Sequence, residues 1–220
     1  MSEPQTNTEE STVAGESNDG SAEESALRKI PDKERFYKVG KVHGLAFLAA
    51  ITLWGAADSW AAHSGLLLAT LISVVNAMVA ATILAILFHE WGHFLGARLS
   101  GSYSPMVTDP YNQFIFGFNF KKNTKQQFLA MSFGGPIGNW VLVALIIMLV
   151  PLDNAGRIML FAVAVARAIS VCLFEIPVIM KTISGGEPEE ELADATSAGS
   201  LNRSRNIGYG IGALIFLVSI

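Results

Sequence analysis

The chain has 220 residues, of which 51% are hydrophobic and only 15% are charged, with a formal net charge of −4. This composition is typical of a membrane protein, and it argues against nucleic acid as a partner. Cys172 is the only cysteine, which excludes a disulfide within the chain.

The N-terminal region differs sharply in composition from the rest. Residues 1–27 are rich in Ser, Glu, Thr, Asn and Gly, and they have too few apolar side chains to form a core. Residues 28–41 then carry six basic residues against two acidic ones, directly before the first apolar run. We predict that residues 1–41 are a disordered acidic tail followed by a basic juxtamembrane segment, and that the N-terminus is cytoplasmic.

Residues 42–220 are predicted to form a polytopic, all-α membrane domain of about 4–5 transmembrane helices in the cell membrane, in contact with the lipid bilayer. The second run is longer than a bilayer is thick, so it must tilt, protrude or break near Asn76. Asp58 and His63, at the outer end of the first run, are expected to lie in water. The apolar runs are 43–60, 66–99, 128–150, 155–180 and the shorter 207–220.

The polar segments between the runs are predicted to be a cytoplasmic loop at 101–127 and a cytoplasmic acidic loop at 181–206. In the first loop Phe114, Phe116, Phe118 and Phe120 alternate with other residues. A period of two predicts a β-strand, or a small hairpin, with one aromatic face. Such a strand either packs on the membrane surface or pairs with an extended substrate. The last run has Gly208 and Gly212 at helix-contact spacing, and it stops without polar flanking residues, as a truncated chain would.

A His-Glu-x-x-His motif lies inside the apolar run, at residues 89–93. Residues four apart lie on one face of a helix, so His89 and His93 can bind a single Zn²⁺, and Glu90 can act on a metal-bound water. The alternative is a pair of polar residues near a helix end. Ionisable groups in a membrane segment are costly unless they are functional, which favours the zinc site.

Two other polar features are predicted to lie at the depth of this motif. The element 134–139 ends in Asn139, and Glu175 lies near the cytoplasmic end of its run. His89 is about nine residues, or roughly 13 Å, from the cytoplasmic surface of the membrane. The other two features lie at roughly 9 to 16 Å from that surface. Because a zinc site needs a third protein ligand from elsewhere in the chain, this shared depth indicates one common site.

Residues 89–94, His-Glu-Trp-Gly-His-Phe, resemble the zinc helix of the site-2 protease family of intramembrane zinc metalloproteases. Residues 134–139, Gly-Gly-Pro-Ile-Gly-Asn, resemble that family's second signature, Gly-Pro-x-x-Asn on the next helix. A loop with a strand between the two is also similar to the family, and the resemblance covers about residues 80–180. It implies a zinc-dependent endopeptidase whose substrates are membrane-spanning, often regulatory, proteins.

The family's usual third ligand, an Asp in a Leu-Asp-Gly element, has no counterpart here. Glu175 is the favoured third ligand on depth. The alternatives are an acid from the run 187–194 that folds back, or a chain that binds zinc poorly and is inactive. Arg167 is about 12 Å of helix rise from Glu175, too far for a direct ion pair, so it needs another partner.

If Zn²⁺ is held by His89, His93 and Glu175, Glu90 is the catalytic residue that takes a proton from water and passes it to the leaving amine. The substrate helix must be partly unwound, because a helix holds its carbonyls in internal hydrogen bonds. We place the extended peptide on substrate-binding residues of the strand and of the glycine element, with Asn139 bonding to the peptide backbone. They are Phe116, Phe118, Gly135, Pro136 and Asn139.

Three other functions remain open from the sequence. One is a different membrane zinc peptidase that cleaves the tails of membrane proteins. A second is a pseudoprotease or scaffold that binds metal and client helices without cleaving them. A transporter is less favoured because the chain has no internal repeat.

Overall fold

The computed structural model describes residues 31–112, 114–197 and 199–220, and the predicted acidic tail lies outside these ranges. Within them the chain forms helices and no β-strand. The helices are α1 (Asp32–Ser64), α2 (Leu67–Leu99), α3 (Lys125–Leu149), α4 (Ala155–Ile183), α5 (Pro188–Ser197) and α6 (Ser200–Ser219).

Among the described residues, α1 to α4 are long and apolar enough to cross a membrane. They correspond to the four long apolar runs, which confirms the prediction of an all-α, multi-pass bundle. The shorter run 207–220 lies in α6, which is not one of these four helices. At 33 residues α2 is about 50 Å long, well beyond a hydrocarbon core of about 30 Å. It is continuous through Asn76, so the suggested break there is wrong.

Local signals in the sequence account for the ends of these helices. Gly65 ends α1 with a φ of 64°, a left-handed conformation that glycine adopts without strain, and α2 starts two residues later. Thr124 and Gln127 cap the start of α3 reciprocally, each side chain bonding to the backbone N–H of the other. Asn154 caps α4 by accepting a hydrogen bond from the backbone of Arg157. These caps define two ends of the bundle: a tight-turn end at 65–66 and 150–154, and a long-loop end at 100–124 and 184–187.

The central helix is α2, which contacts α1, α3 and α4, while α3 also contacts α4. Its buried face is lined with alanines, and small residues allow helices to approach closely in a membrane bundle. Larger side chains from α3 and α4 complete this core. The central buried residues are Ala77, Ala80, Ala81, Leu84, Ala85, Leu142, Ile146, Leu160 and Ala164.

Asp58 at the tight-turn end is buried, with 5% of its surface exposed, so the prediction that it lies in water is wrong. One carboxylate oxygen accepts from Arg157 Nε at 2.8 Å. The other accepts from Asn154 Nδ2 at 3.0 Å and from Ser73 Oγ at 3.5 Å. Arg157 also bonds to Asp153 at 2.9 Å. This tight-turn cluster, Asp58, Ser73, Asp153, Asn154 and Arg157, joins α1, α2 and α4.

The loop 100–124 contains a single antiparallel bridge, Met106 with Phe116, and no strand or hairpin among its described residues. The predicted period of two fails because Ile115 and Phe116 are both buried, while Phe114 is exposed. A strand with one aromatic face would bury every second residue instead. The prediction of a β-hairpin is therefore wrong, and the loop is held by packing against the helices.

Most of the segment 181–206, which was predicted to be an acidic loop, is helical. The end of α4, all of α5 and the start of α6 fall within it. α6 lies along α4, and a Cβ at Gly208 or Gly212 would overlap atoms of Ser170 or Ala166 of α4. The spacing of these two glycines was thus a correct signal for a close helix contact.

Candidate metal centre

Glycines bring α2 and α3 into backbone contact at the level of the His-Glu-x-x-His motif. A Cβ on Gly92 would overlap the carbonyl of Gly134, and a Cβ on Gly134 would overlap the carbonyl of Gly92. Gly138 meets the carbonyl of Phe88 in the same way. Any side chain at these positions would push the helices apart. The contact places Gly135 directly against the imidazoles of the motif, where a Cβ would overlap both rings.

Three side chains from α2 and α4 converge in front of Gly135. The Nε2 atoms of His89 and His93 are 3.1 Å apart. Glu175 Oε1 lies 3.2 Å from the first nitrogen and 3.3 Å from the second. Each of the three side chains is less than one-fifth exposed. Glu175, which depth predicted as the third ligand, therefore lies next to the two histidines and comes from a different helix, as that prediction expected.

The distances between the three ligand atoms fit a cation with tetrahedral coordination. Zinc–nitrogen and zinc–oxygen bonds of about 2.0–2.1 Å separate neighbouring ligand atoms by about 3.3 Å at a tetrahedral centre. All three edges of the triangle are close to that value. Two imidazoles and one carboxylate are also a donor set that catalytic zinc sites use, with a fourth position left for water.

The charges around the triangle favour a cation as well. Glu175 Oε2 is buried and has no hydrogen-bond partner among the described residues. A buried acceptor left unpaired costs about 1–3 kcal/mol, and more when it is charged, so a positive ion beside it would be strongly stabilising. Glu90, which follows His89 in α2, is buried too. By ideal helix geometry Glu90 lies about 60° around the helix axis from His93.

Each imidazole has a second partner behind the triangle. His93 Nδ1 lies 2.8 Å from the backbone carbonyl of Met131 in α3. His89 Nδ1 lies 3.2 Å from the side-chain amide of Asn139, which is 1% exposed. Asn139, which we expected to bind the substrate backbone, is thus in contact with a candidate ligand. The carbonyl of Met131 was not foreseen, because sequence patterns carry no signal for a backbone partner on another helix.

The residues expected to bind substrate fall into two groups. Gly135 and Asn139 lie at the triangle, and Pro136 lines an apolar groove of about 500 Å³ between α3 and α4. Phe116 and Phe118 lie in the loop instead. Phe116 is buried against Phe94, and Phe118 packs edge-to-face against Phe120 and Phe128. These rings are part of the packing that holds the loop to the helices.

Trp91 and Arg167 are two further polar side chains of α2 and α4. The indole of Trp91 donates to His43 Nδ1 at 3.1 Å and so links the motif helix to α1. Arg167 does not pair with Glu175, as predicted from their separation, and its Nε is buried without a hydrogen-bond partner in the described part of the chain. Nothing in the spacing of the sequence connects His43 with Trp91.

Comparison of the chain with protein-family models, with curated proteins and with solved structures finds no match. The interpretation of the site therefore depends on its geometry and chemistry.

Proposed function

We propose that this protein is a zinc-dependent endopeptidase that cleaves transmembrane segments of other proteins, as the resemblance to site-2 proteases implies. The triangle of His89, His93 and Glu175, with edges of 3.1–3.3 Å, is the observation that carries the proposal. It combines the geometry of a zinc site with a motif that also provides a base, and it lies in helices apolar enough to cross a membrane.

In this proposal His89, His93 and Glu175 hold Zn²⁺. When bound, the ion polarises the scissile carbonyl and makes a water nucleophilic at neutral pH. Glu90 takes one proton from the attacking water and delivers it to the nitrogen of the leaving amine, so the peptide C–N bond breaks while a C–O bond forms. Glu90 is buried, so it has little contact with bulk solvent.

The apolar groove between α3 and α4 is the proposed route by which a substrate reaches the site from lipid. Two of its lining residues, Pro136 and Ile176, directly follow Gly135 and Glu175 in the sequence. Its wall is almost entirely apolar, as suits a membrane-spanning peptide. We further propose that the protein lies in the cell membrane with a cytoplasmic N-terminus, because the long-loop end carries most of the basic residues.

The decisive experiment compares Glu90→Gln with the unaltered full chain on a transmembrane reporter in proteoliposomes loaded with Zn²⁺. Loss of the base should lower the cleavage rate by about 10²–10⁴-fold while zinc stays bound. Glu190→Gln, which alters an exposed acid of α5, is the matched control and should cleave normally.

The outcomes separate the rival functions. A scaffold that binds metal without catalysis would cleave nothing in any variant. A peptidase that acts on tails would cut the reporter outside its membrane-spanning segment, which mass spectrometry of the products detects. Unchanged cleavage in Glu90→Gln would show that the assigned mechanism is wrong.

A further inference from the structure

Arg167 is a charged residue in the middle of a helix that is apolar enough to cross a membrane. In α4 it lies twelve residues after Ala155 and sixteen before Ile183, which is about 18 and 24 Å of helix rise. The other two basic residues of α4, Arg157 and Lys181, lie near its ends. Because a hydrocarbon core is about 30 Å thick, Arg167 lies well inside it when those two flanking residues lie near the headgroups.

Arg167 makes no hydrogen bond and no ion pair with any residue that the structure describes. Its side chain is only partly exposed, and its Nε atom is buried without an acceptor. A guanidinium has five N–H donors, and it keeps its charge in proteins, so burial cannot make it neutral. A charged side chain inside a bilayer is costly unless it is paired, and such residues mark functional contacts.

The acids within the membrane-spanning parts of α1 to α4 are already engaged elsewhere. Asp58 accepts from Arg157 at the tight-turn end. Glu175 lies against the imidazoles of the triangle, about 12 Å of helix rise from Arg167, and Glu90 is buried in the motif of α2. A second copy of the chain would bring the same engaged acids. The partner that suits Arg167 is therefore a different protein.

The depth of Arg167 argues against a lipid phosphate as its partner. Arginines that reach the headgroups do so from positions near a helix end. Arg167 is about 15 Å of helix rise from Arg157 and about 21 Å from Lys181. An acid on another membrane-spanning helix can lie at the same depth, where no headgroup does.

The position of Arg167 around α4 separates it from the proposed substrate route. By ideal helix geometry it lies about 180° around the axis from Ile176, which lines the apolar groove. It lies about 100° from Ala166, which a Cβ at Gly212 of α6 would overlap. Arg167 thus borders the contact between α4 and α6, on the side of α4 that faces away from the groove.

We propose that Arg167 is the docking point for a membrane-spanning helix of a partner protein, and that this helix carries an aspartate or glutamate at the depth of Arg167. Each charge would offset the cost of holding the other in the bilayer. The planar guanidinium can donate two parallel hydrogen bonds to one carboxylate, which adds specificity to the charge. This inference depends neither on the metal centre nor on peptidase activity.

Binding of model membrane-spanning peptides tests the proposal. The full chain is placed in phosphatidylcholine liposomes, and energy transfer from its four tryptophans to an acceptor on the peptide reports binding. Three tryptophan-free peptides of leucine and alanine differ only at their midpoint, which is aspartate, asparagine or leucine. We expect the aspartate peptide to bind about tenfold more tightly than the leucine peptide, with the asparagine peptide between them.

Two results with these peptides would overturn the proposal. Equal binding of the aspartate and leucine peptides would show that the chain does not recognise an acid in the membrane. Equal binding of the aspartate and asparagine peptides would show that a neutral hydrogen bond, and not an ion pair, accounts for the preference.

Variants of the chain then test whether Arg167 is the group that recognises the acid. Arg167→Leu should abolish the preference for the aspartate peptide, and circular dichroism checks that this variant is folded. Arg203→Leu alters an exposed arginine at the start of α6 and is the matched control, which should keep the full preference. A preference that survives in Arg167→Leu would contradict the proposal.

An exchange of charges provides the most specific test. A peptide with lysine at its midpoint should bind Arg167→Glu more tightly than it binds the unaltered chain. If a folded Arg167→Glu shows no such gain, direct pairing at this position is wrong. If Arg167→Glu does not fold, the comparison of Arg167→Leu with Arg203→Leu decides alone. None of these measurements uses zinc or cleavage, so their failure leaves the proposed function intact, and failure of the proposed function leaves this inference intact.

Discussion

The tight-turn cluster and the candidate metal centre are both polar and largely buried, but they differ in how their hydrogen bonds are satisfied. In the tight-turn cluster both carboxylate oxygens of Asp58 accept from donors, and Arg157 has two acidic partners. In the candidate metal centre one oxygen of Glu175 and one of Asn139 are buried and have no hydrogen-bond partner within residues 31–112, 114–197 and 199–220. A closed network stabilises a fold, whereas an open set of acceptors is suited to bind a cation.

The two clusters can be compared most directly through their central acids, Glu175 in the candidate metal centre and Asp58 in the tight-turn cluster. Glu175→Gln removes the charge of the proposed third ligand in the candidate metal centre, so we expect zinc affinity to fall by more than about 100-fold, beyond the loss typical of outer-shell partners. The measurement is a competition titration of the purified chain with a chelating dye. Glu187→Gln, which alters an exposed acid paired with Lys125, serves as the control and should bind Zn²⁺ normally. An unchanged affinity in Glu175→Gln would exclude this acid as a ligand.

Zinc binding at the candidate metal centre should also depend on the lack of a side chain at Gly135. Gly135→Ala adds a methyl group that overlaps both imidazoles, so we expect the rings to shift and the zinc affinity to fall by about 10–100-fold. Gly117→Ala is the matched control, because a Cβ there meets no atom within 4 Å. Tight zinc binding by Gly135→Ala would mean that the rings can move aside, and that the site is less rigid than its contacts indicate.

Much of this open cluster could be predicted from the sequence. Hydropathy predicts the positions of α1 to α4. The spacing of four residues predicts that His89 and His93 share one helix face, and the predicted depth in the membrane selects Glu175 as a third ligand. These signals work because helices in a bilayer have a regular rise and a defined thickness to cross. The contact between α2 and α3 could also be inferred, since glycines at that spacing have few other uses in a membrane helix.

The hydrogen bonds of the tight-turn cluster and the conformation of the loop 100–124 could not be predicted from the sequence. Asp58 and Arg157 are 99 residues apart and lie on different helices, so no periodicity relates them. In the loop, four phenylalanines at a spacing of two look like a strand, but the described residues contain only one bridge. Three of these rings, Phe116, Phe118 and Phe120, instead pack on Phe94 or Phe128 of the helices, and such tertiary packing overrides a local β-pattern.

A substitution in the closed cluster should affect stability and leave zinc binding unchanged. Asp58→Asn keeps the shape of the side chain but removes the charge that faces Arg157, so we expect it to lower the free energy of unfolding by about 1–3 kcal/mol. Thermal unfolding in micelles, followed by circular dichroism, measures this loss. Asp153→Asn is the internal reference: its side chain is largely exposed, and such ion pairs contribute less than about 1 kcal/mol.

The effects of Asp58→Asn on zinc affinity and on stability test whether the two clusters have separate roles. If Asp58→Asn weakens zinc binding as strongly as Glu175→Gln does, the two ends of the bundle are coupled and cannot be assigned separate roles. If Asp58→Asn destabilises the chain no more than Asp153→Asn does, the closed network is not a stabilising element, because burial of Asp58 should make its loss the more costly of the two. Reduced stability with unchanged zinc affinity is the result that separates a structural cluster from a functional one.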